Sequence, residues 1–174
     1  MSEYLIKEAK CNASLEDTLN QTCLFYVSRD GREDLCRLFL EHGCKANHVD
    51  SYGQTPIFYT AREGHRNIMQ MLIEKGGDPD HVDNDGQTPI FYAVRSGNQD
   101  CIDYLLKECE PDLTRNDNKG QNVIHQAYKY RKQYLIDELV TAGVPLPTDV
   151  KRKLAMATQK SSSRGKKNSA EPDA

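Results

Sequence analysis

The sequence contains no tryptophan and no apolar run near the roughly 18 residues that a membrane helix needs. Mean hydropathy is low, at −0.75. Its six cysteines (Cys11, Cys23, Cys36, Cys44, Cys101 and Cys109) include no Cys-x-x-Cys pair, the common signature of zinc and dithiol sites. A phosphate-binding glycine loop, His-Glu-x-x-His and a nucleophile elbow are also missing. No catalytic residue, cofactor, metal or small-molecule substrate is therefore expected, and no membrane partner. The opening MSEYLIKEAK carries charges where a signal peptide would be apolar, so secretion is not expected. Several cysteines occupy positions that hold apolar residues elsewhere: Cys36 matches Met69, and Cys101 matches Ile68. They read as buried reduced thiols, and the chain as intracellular.

What the sequence does contain is near-repetition. Gly53–Tyr59 and Gly86–Tyr92 both read GQTPIFY, 33 residues apart. A fixed period of this size signals stacked short units, which present an extended surface and no enclosed pocket. One period back, Asn20-Gln21-Thr22-Cys23-Leu24-Phe25-Tyr26 aligns, with Asn20 in place of Gly and Cys23 in place of Pro. Forward, with an offset of 34, Gly120-Gln121 and Val123-Ile124-His125-Gln126-Ala127 align, and Arg131 stands where the inter-helix Gly belongs. Four repeats result: 17–49, 50–82, 83–116 and 117–149.

The pattern has local physical reasons. Thr22, Thr55 and Thr88 stand at N-cap positions, where a hydroxyl can accept from unpaired backbone N–H groups. Pro56 and Pro89 follow at the first helical position, which needs no N–H. Gly64 and Gly97 end the first helices, while Gly43, Gly76 and Gly143 end the second. Ile68, Met71 and Leu72, like Cys101, Tyr104 and Leu105, have the i, i+3, i+4 spacing of an amphipathic helix.

Gly-x-Thr-Pro-Ile, an inter-helix Gly and a closing Leu pair resemble the ankyrin repeat, over residues 17–149. The resemblance implies an all-α solenoid of stacked helix-turn-helix units joined by β-hairpin loops. Short helices are expected to cap it: one within residues 1–16, built from Tyr4, Leu5, Ile6 and Ala9, and one over 150–158. In that second cap Asp149 is the expected N-cap, with Val150, Leu154 and Ala157 facing inward. Residues 159–174, rich in Ser and Lys without an aromatic, read as a disordered basic tail.

In ankyrin proteins the concave groove and the hairpin tips bind partners. At the groove position before each inter-helix turn stand Arg29, Arg62, Arg95 and Lys129, a basic ladder. Guanidinium forks suit carboxylates or phosphates; the alternative is that Asp30 and Glu63 neutralise them and keep the groove soluble. Tyr26, Tyr59 and Tyr92 lie one helical turn away and are expected to share the ladder's face, with Phe25, Phe58 and Phe91 as core. Tyr52, Asp85 and Lys119 differ among the tips, as a specificity surface would. On this reading Arg95 is exposed, and Arg95→Ala is expected to cost under about 0.5 kcal/mol.

The triplets His48–Asp50 and His81–Asp83 invite a metal assignment. Equivalent points of adjacent repeats lie roughly 8–10 Å apart, too far to share an ion bound at about 2 Å.

Charge is uneven. Residues 149–174 hold seven basic and three acidic side chains, a net of +4 in a chain of net −3, which leaves −7 on residues 1–148. Lys151, Arg152 and Lys153, then Arg164, Lys166 and Lys167, resemble a bipartite nuclear localisation signal; a solvated linker is the alternative. The expected role is a non-catalytic scaffold or adaptor, cytoplasmic or nuclear, that binds a protein or peptide through the groove. Two alternatives stand. One is a small inhibitor of a kinase or transcription factor. The other is a targeting subunit of a nuclear complex that binds a histone-like basic peptide or places its tail on nucleic acid. The lack of tryptophan weighs against an aromatic cage.

Overall fold

The computed structural model describes residues 15–165, with side chains through Ala157. Residues 1–14 and 166–174 lie outside the described residues, and with them the residues of the expected N-terminal cap, Lys166 and Lys167. The described chain is all-helical. Four hairpins follow in order: α1 (Cys23–Arg29) with α2 (Glu33–Glu41), α3 (Pro56–Glu63) with α4 (Arg66–Glu74), α5 (Pro89–Ser96) with α6 (Gln99–Glu108), and α7 (Val123–Lys129) with α8 (Tyr134–Thr141). A ninth helix, α9 (Thr148–Gly165), closes the described chain.

The hairpins stack in register. The first helices pack in one row, α1 on α3 on α5 on α7, and α2, α4 and α6 pack in a second row behind them. The core runs the length of the stack, because each hairpin buries one face against its own helices and another against its neighbours. Phe25, Phe58 and Phe91 are buried, as are Leu40, Leu72, Leu105 and Leu139. Phe25 meets Tyr59 edge-to-face at 5.5 Å between centroids, and Phe58 meets Tyr92 the same way at 5.4 Å. The phenylalanines are therefore inter-repeat core, as the sequence indicated.

The loops between hairpins are held by turns, and among the described residues no strand forms. In each, an aspartate accepts two backbone N–H groups: Asp50 from Tyr52 and Gln54, Asp83 from Asp85 and Gln87. Adjacent tips then join through the backbone, Asn84 N–H to Tyr52 O at 3.1 Å and Asn118 N–H to Asp85 O at 2.9 Å. Gly53 is required at this contact, since a Cβ there would sit 2.8 Å from the Asn84 backbone nitrogen.

Gly64 and Gly97 end α3 and α5 in left-handed conformation, with φ of 87° and 80°. Arg131 takes the same geometry without being glycine (φ 59°), as does Asn20 at the first tip (φ 58°). A left-handed arginine stores strain that asparagine tolerates better.

Three local expectations change. Thr22, Thr55 and Thr88 make no side-chain cap hydrogen bond. The amide at the third helical position bonds instead to the threonine carbonyl, as Phe58 N–H does to Thr55 O at 3.0 Å. The hydroxyls of Thr22 and Thr55 are buried without a hydrogen-bond partner. At the C-terminus Asp149 lies inside the first turn of α9 rather than capping it. Val150 and Leu154 do pack inward, but Ala157 is exposed. Finally, α9 runs on to Gly165, beyond the end expected for the cap. Residues 151–160 are mostly strong helix formers, and Lys153 pairs with Asp149 one turn back at 3.0 Å, which supports the first part of the helix.

Candidate interaction face

The four basic residues of the ladder all lie on the row of first helices, at the C-terminal end of each. The two inner rungs are built into the stack. Arg62 lies over two rings, 5.0 Å from the Tyr59 centroid and 4.9 Å from that of Tyr92. Arg95 lies 4.7 Å from Tyr92 and 5.4 Å from Tyr130. Tyr59, Arg62, Tyr92, Arg95 and Tyr130 thus form one column in which rings and guanidinium groups alternate across three repeats. The attraction of a cation to a ring face is worth about 0.5–2 kcal/mol, rising as water is excluded.

A second ladder runs behind the column. Gln21 Nε2 donates to Asp50 Oδ2 at 2.9 Å and to the Tyr59 hydroxyl at 2.7 Å, while that hydroxyl donates to Asp50 at 2.8 Å. One repeat on, Gln54 Nε2 donates to Asp83 at 3.2 Å and to the Tyr92 hydroxyl at 2.7 Å, and the hydroxyl donates to Asp83 at 2.7 Å. Gln87 continues to Asp117 at 3.1 Å. The other end of the two inner glutamines holds an arginine: Arg62 Nη2 donates to Gln54 Oε1 at 3.0 Å, and Arg95 Nη2 to Gln87 Oε1 at 2.5 Å. Gln54 and Gln87 therefore each connect the arginine of their own repeat to the buried carboxylate of the next. Burial, then the bond to Asp83, pushes the Tyr92 phenol up to about 12. The Tyr59 phenol is raised for the same reasons, with Asp50 as its partner.

Two sequence assignments need correction. Tyr59 and Tyr92 are only 7% and 5% exposed, so they brace the arginines from below and offer a partner no ring face. Arg95 is part-buried and its Nε is enclosed without a partner, so it is not an open surface charge. Hydrophobic stacking between repeats overrides the simple expectation that residues one turn apart share an exposed face.

The outer rungs differ. Arg29 is exposed, pairs with Asp30 at 2.9 Å and lies over Tyr26 at 5.2 Å. Tyr26 is 40% exposed, and its hydroxyl donates to Asp17, which holds the Tyr26 phenol above its usual range and the Asp17 carboxyl below its own. Lys129 and Tyr130 are exposed at the far end, 5.3 Å apart. At the tips Tyr52, Asp85 and Lys119 all face solvent. Leu19, Val49 and Val82 add exposed apolar surface in the same loops, which the sequence reading did not single out. The clue was there: Val49 and Val82 stand at one repeat position just before the tip aspartate.

The histidines of the repeated triplets are staples. His48 Nε2 contacts the Asn20 carbonyl at 2.9 Å and His81 Nε2 that of Gly53 at 3.1 Å, while their rings stand edge-on to Phe25 and Phe58. Asn98 does comparable work on the other side, donating to the carbonyls of Ala61 (2.9 Å) and Arg62 (2.8 Å). Among the described residues no group of three or more His, Cys, Asp or Glu is placed to hold a metal ion, and no helix is long and apolar enough to cross a membrane. A depression of about 230 Å³ lies on the second row, between α2 and α4, and is lined largely by charged residues. It is smaller than the usual small-molecule site and remote from the ladder.

Of the proposed localisation residues, Lys151, Arg152 and Lys153 are exposed on α9. Lys153 is engaged by Asp149 and lies 5.7 Å over Tyr128. Asp149 also meets His125 Nε2 at 3.3 Å, while His125 Nδ1 faces Asn122. Arg164 belongs to the helical backbone, and Lys166 and Lys167 lie outside the described residues.

A family model described as ankyrin repeats, three copies, matches residues 1–83 and 61–148. No curated protein shows significant similarity to the chain.

Proposed function

Because the chain belongs to the ankyrin-repeat family, whose members generally serve as protein–protein interaction modules and not as catalysts, we propose that it is a non-catalytic scaffold or adaptor. Its partner is a protein or peptide that docks along the first-helix row and the tips. The observation that carries this reading is the division of labour along the ladder. Arg62 and Arg95 are spent on bracing the stack, whereas Tyr26, Arg29, Lys129 and Tyr130 stay exposed at its ends and Tyr52, Asp85 and Lys119 at its tips. A rigid row with non-identical exposed side chains is pre-organised for recognition, which lowers the entropic cost of binding. Exposed arginine, lysine and tyrosine together suit a partner segment with acidic and apolar side chains.

The test is affinity capture with mass spectrometry. Full-length wild type is compared with a Tyr52→Ala, Lys119→Glu variant and with an Arg29→Glu, Lys129→Glu variant. All four positions are exposed, so both variants should keep the wild-type circular dichroism and thermal midpoint. A partner captured by wild type and lost from a folded variant supports the proposal. Identical partners for all three chains would contradict it. Charge reversal at Arg62 or Arg95 is the wrong test, because it would unseat the column itself.

A further inference from the structure

The geometry points to a reversible thiol–disulfide modification site formed by Cys23 and Cys44, closed by peroxide-class oxidants and reopened by small thiols. Their Sγ atoms lie 3.8 Å apart, although the residues are separated by 21 positions. Cys23 starts α1 and Cys44 lies in the turn that follows α2, so the pair joins the two ends of the first helical hairpin.

The placement is specific to this repeat. At the position of Cys23 the next two repeats have Pro56 and Pro89, and the fourth has Val123. At the position of Cys44 the second repeat has Gly77 and the fourth has Val144. Val123 and Val144 are both buried, so plain aliphatic side chains suffice at these two positions. The first repeat alone places two thiols there, and in contact.

Their environments divide the roles. Cys23 is half-buried, and its acidity is increased by the Cys44 thiol and then by the Leu24 backbone amide. Cys44 is buried, and the neighbouring Cys23 sulfur raises its own thiol well above the ordinary range. The two thiols titrate as a pair, and Cys23 is the one that ionises first. Cys36 and Cys101 are fully buried with thiols pushed up to about 11, which leaves them inert by comparison.

The chemistry balances with hydrogen peroxide as oxidant. The Cys23 thiolate attacks one peroxide oxygen; the O–O bond breaks, Cys23 becomes a sulfenic acid, and the departing hydroxide takes a proton to give water. The negative charge that raised the Cys44 thiol is then gone. Cys44 gives up its proton as it attacks Cys23 Sγ, the S–S bond forms, and the sulfenic oxygen leaves with that proton as a second water. Two thiols are oxidised and one peroxide is reduced to two waters. Bond formation closes the 3.8 Å between the sulfurs to a disulfide's roughly 2.05 Å. A thiol such as glutathione reverses the step by exchange.

The test uses the full chain and does not depend on the partner-binding role. Reduced wild type is exposed to hydrogen peroxide, quenched and mapped by peptide mass spectrometry. The expected product is a Cys23–Cys44 linked peptide that forms at least about tenfold faster than oxidation of Cys36 or Cys101 and disappears with reduced glutathione. In Cys44→Ala, Cys23 should accumulate as a sulfenic acid trapped by a dimedone-type reagent. Three results would overturn the proposal: no linked peptide in wild type, bonds formed chiefly to other cysteines, or Cys23 advancing to the sulfinic acid equally fast with and without Cys44. The wild-type map is decisive even if a variant folds poorly.

Discussion

Arg95 Nη2 donates to Gln87 Oε1 at 2.5 Å, tying the end of α5 to the loop that precedes it. With the guanidinium also lying over Tyr92 and Tyr130, a side chain that the sequence placed on an open groove becomes part of the scaffold. Arg95→Ala should therefore cost about 1–2 kcal/mol, from a charged hydrogen bond and two ring contacts. Arg29→Ala, at the exposed end, should cost less than about 0.5 kcal/mol. Denaturant unfolding of the two variants side by side checks this; equal small losses would show that the column adds nothing.

Leu105 is fully buried between the helix rows. Leu105→Ala should cost about 2–5 kcal/mol, as large-to-small core substitutions do. The same unfolding experiment measures it, and the loss should exceed that of Arg95→Ala.

Arg131 holds a left-handed backbone (φ 59°) where Gly64 and Gly97 stand in the two preceding repeats. Arg131→Gly should therefore stabilise the chain by roughly 0.5–1 kcal/mol, relieving a conformation that side chains disfavour. A rise in thermal midpoint is expected. A fall would mean that the arginine side chain contributes more than its backbone costs.

Tyr92 predicts a pH dependence. Folding raises its phenol from 10.0 to about 12, so the neutral form is favoured in the folded chain. That contribution is complete below pH 10 and is lost as pH rises through about 12. Stability of the wild type should fall across this window, and Tyr92→Phe should fall less steeply there while being the less stable protein at pH 7. Tyrosinate absorbance combined with denaturant unfolding would detect the difference.

Much of this was legible because it is local. The period of GQTPIFY, the prolines at helix starts and the glycine turns each follow from the chemistry of a few neighbouring residues, and they located eight of the nine described helices. The Asp–Gln–Tyr network was not read, because the glutamine bonds that tie it together join residues 29–38 apart, such as Gln21 with Asp50 and Tyr59. A signal was present in the recurrence of Asp50 and Asp83, of Gln54 and Gln87 and of Tyr59 and Tyr92 at one period, since polar identity at equivalent positions marks a bond between repeats. The threonine caps misled for a related reason. Thr55 is fully buried and its carbonyl does the capping, a choice made by packing rather than by propensity.

On the proposed function, the first-helix row and the tips meet the partner while the second row only supports them. Hydrogen exchange of the full chain, with and without a captured partner, tests it most directly. New protection is expected in α1, α3, α5, α7 and the loops at Tyr52, Asp85 and Lys119. Protection confined to α2, α4, α6 and α8, or to residues 148–174, would contradict it.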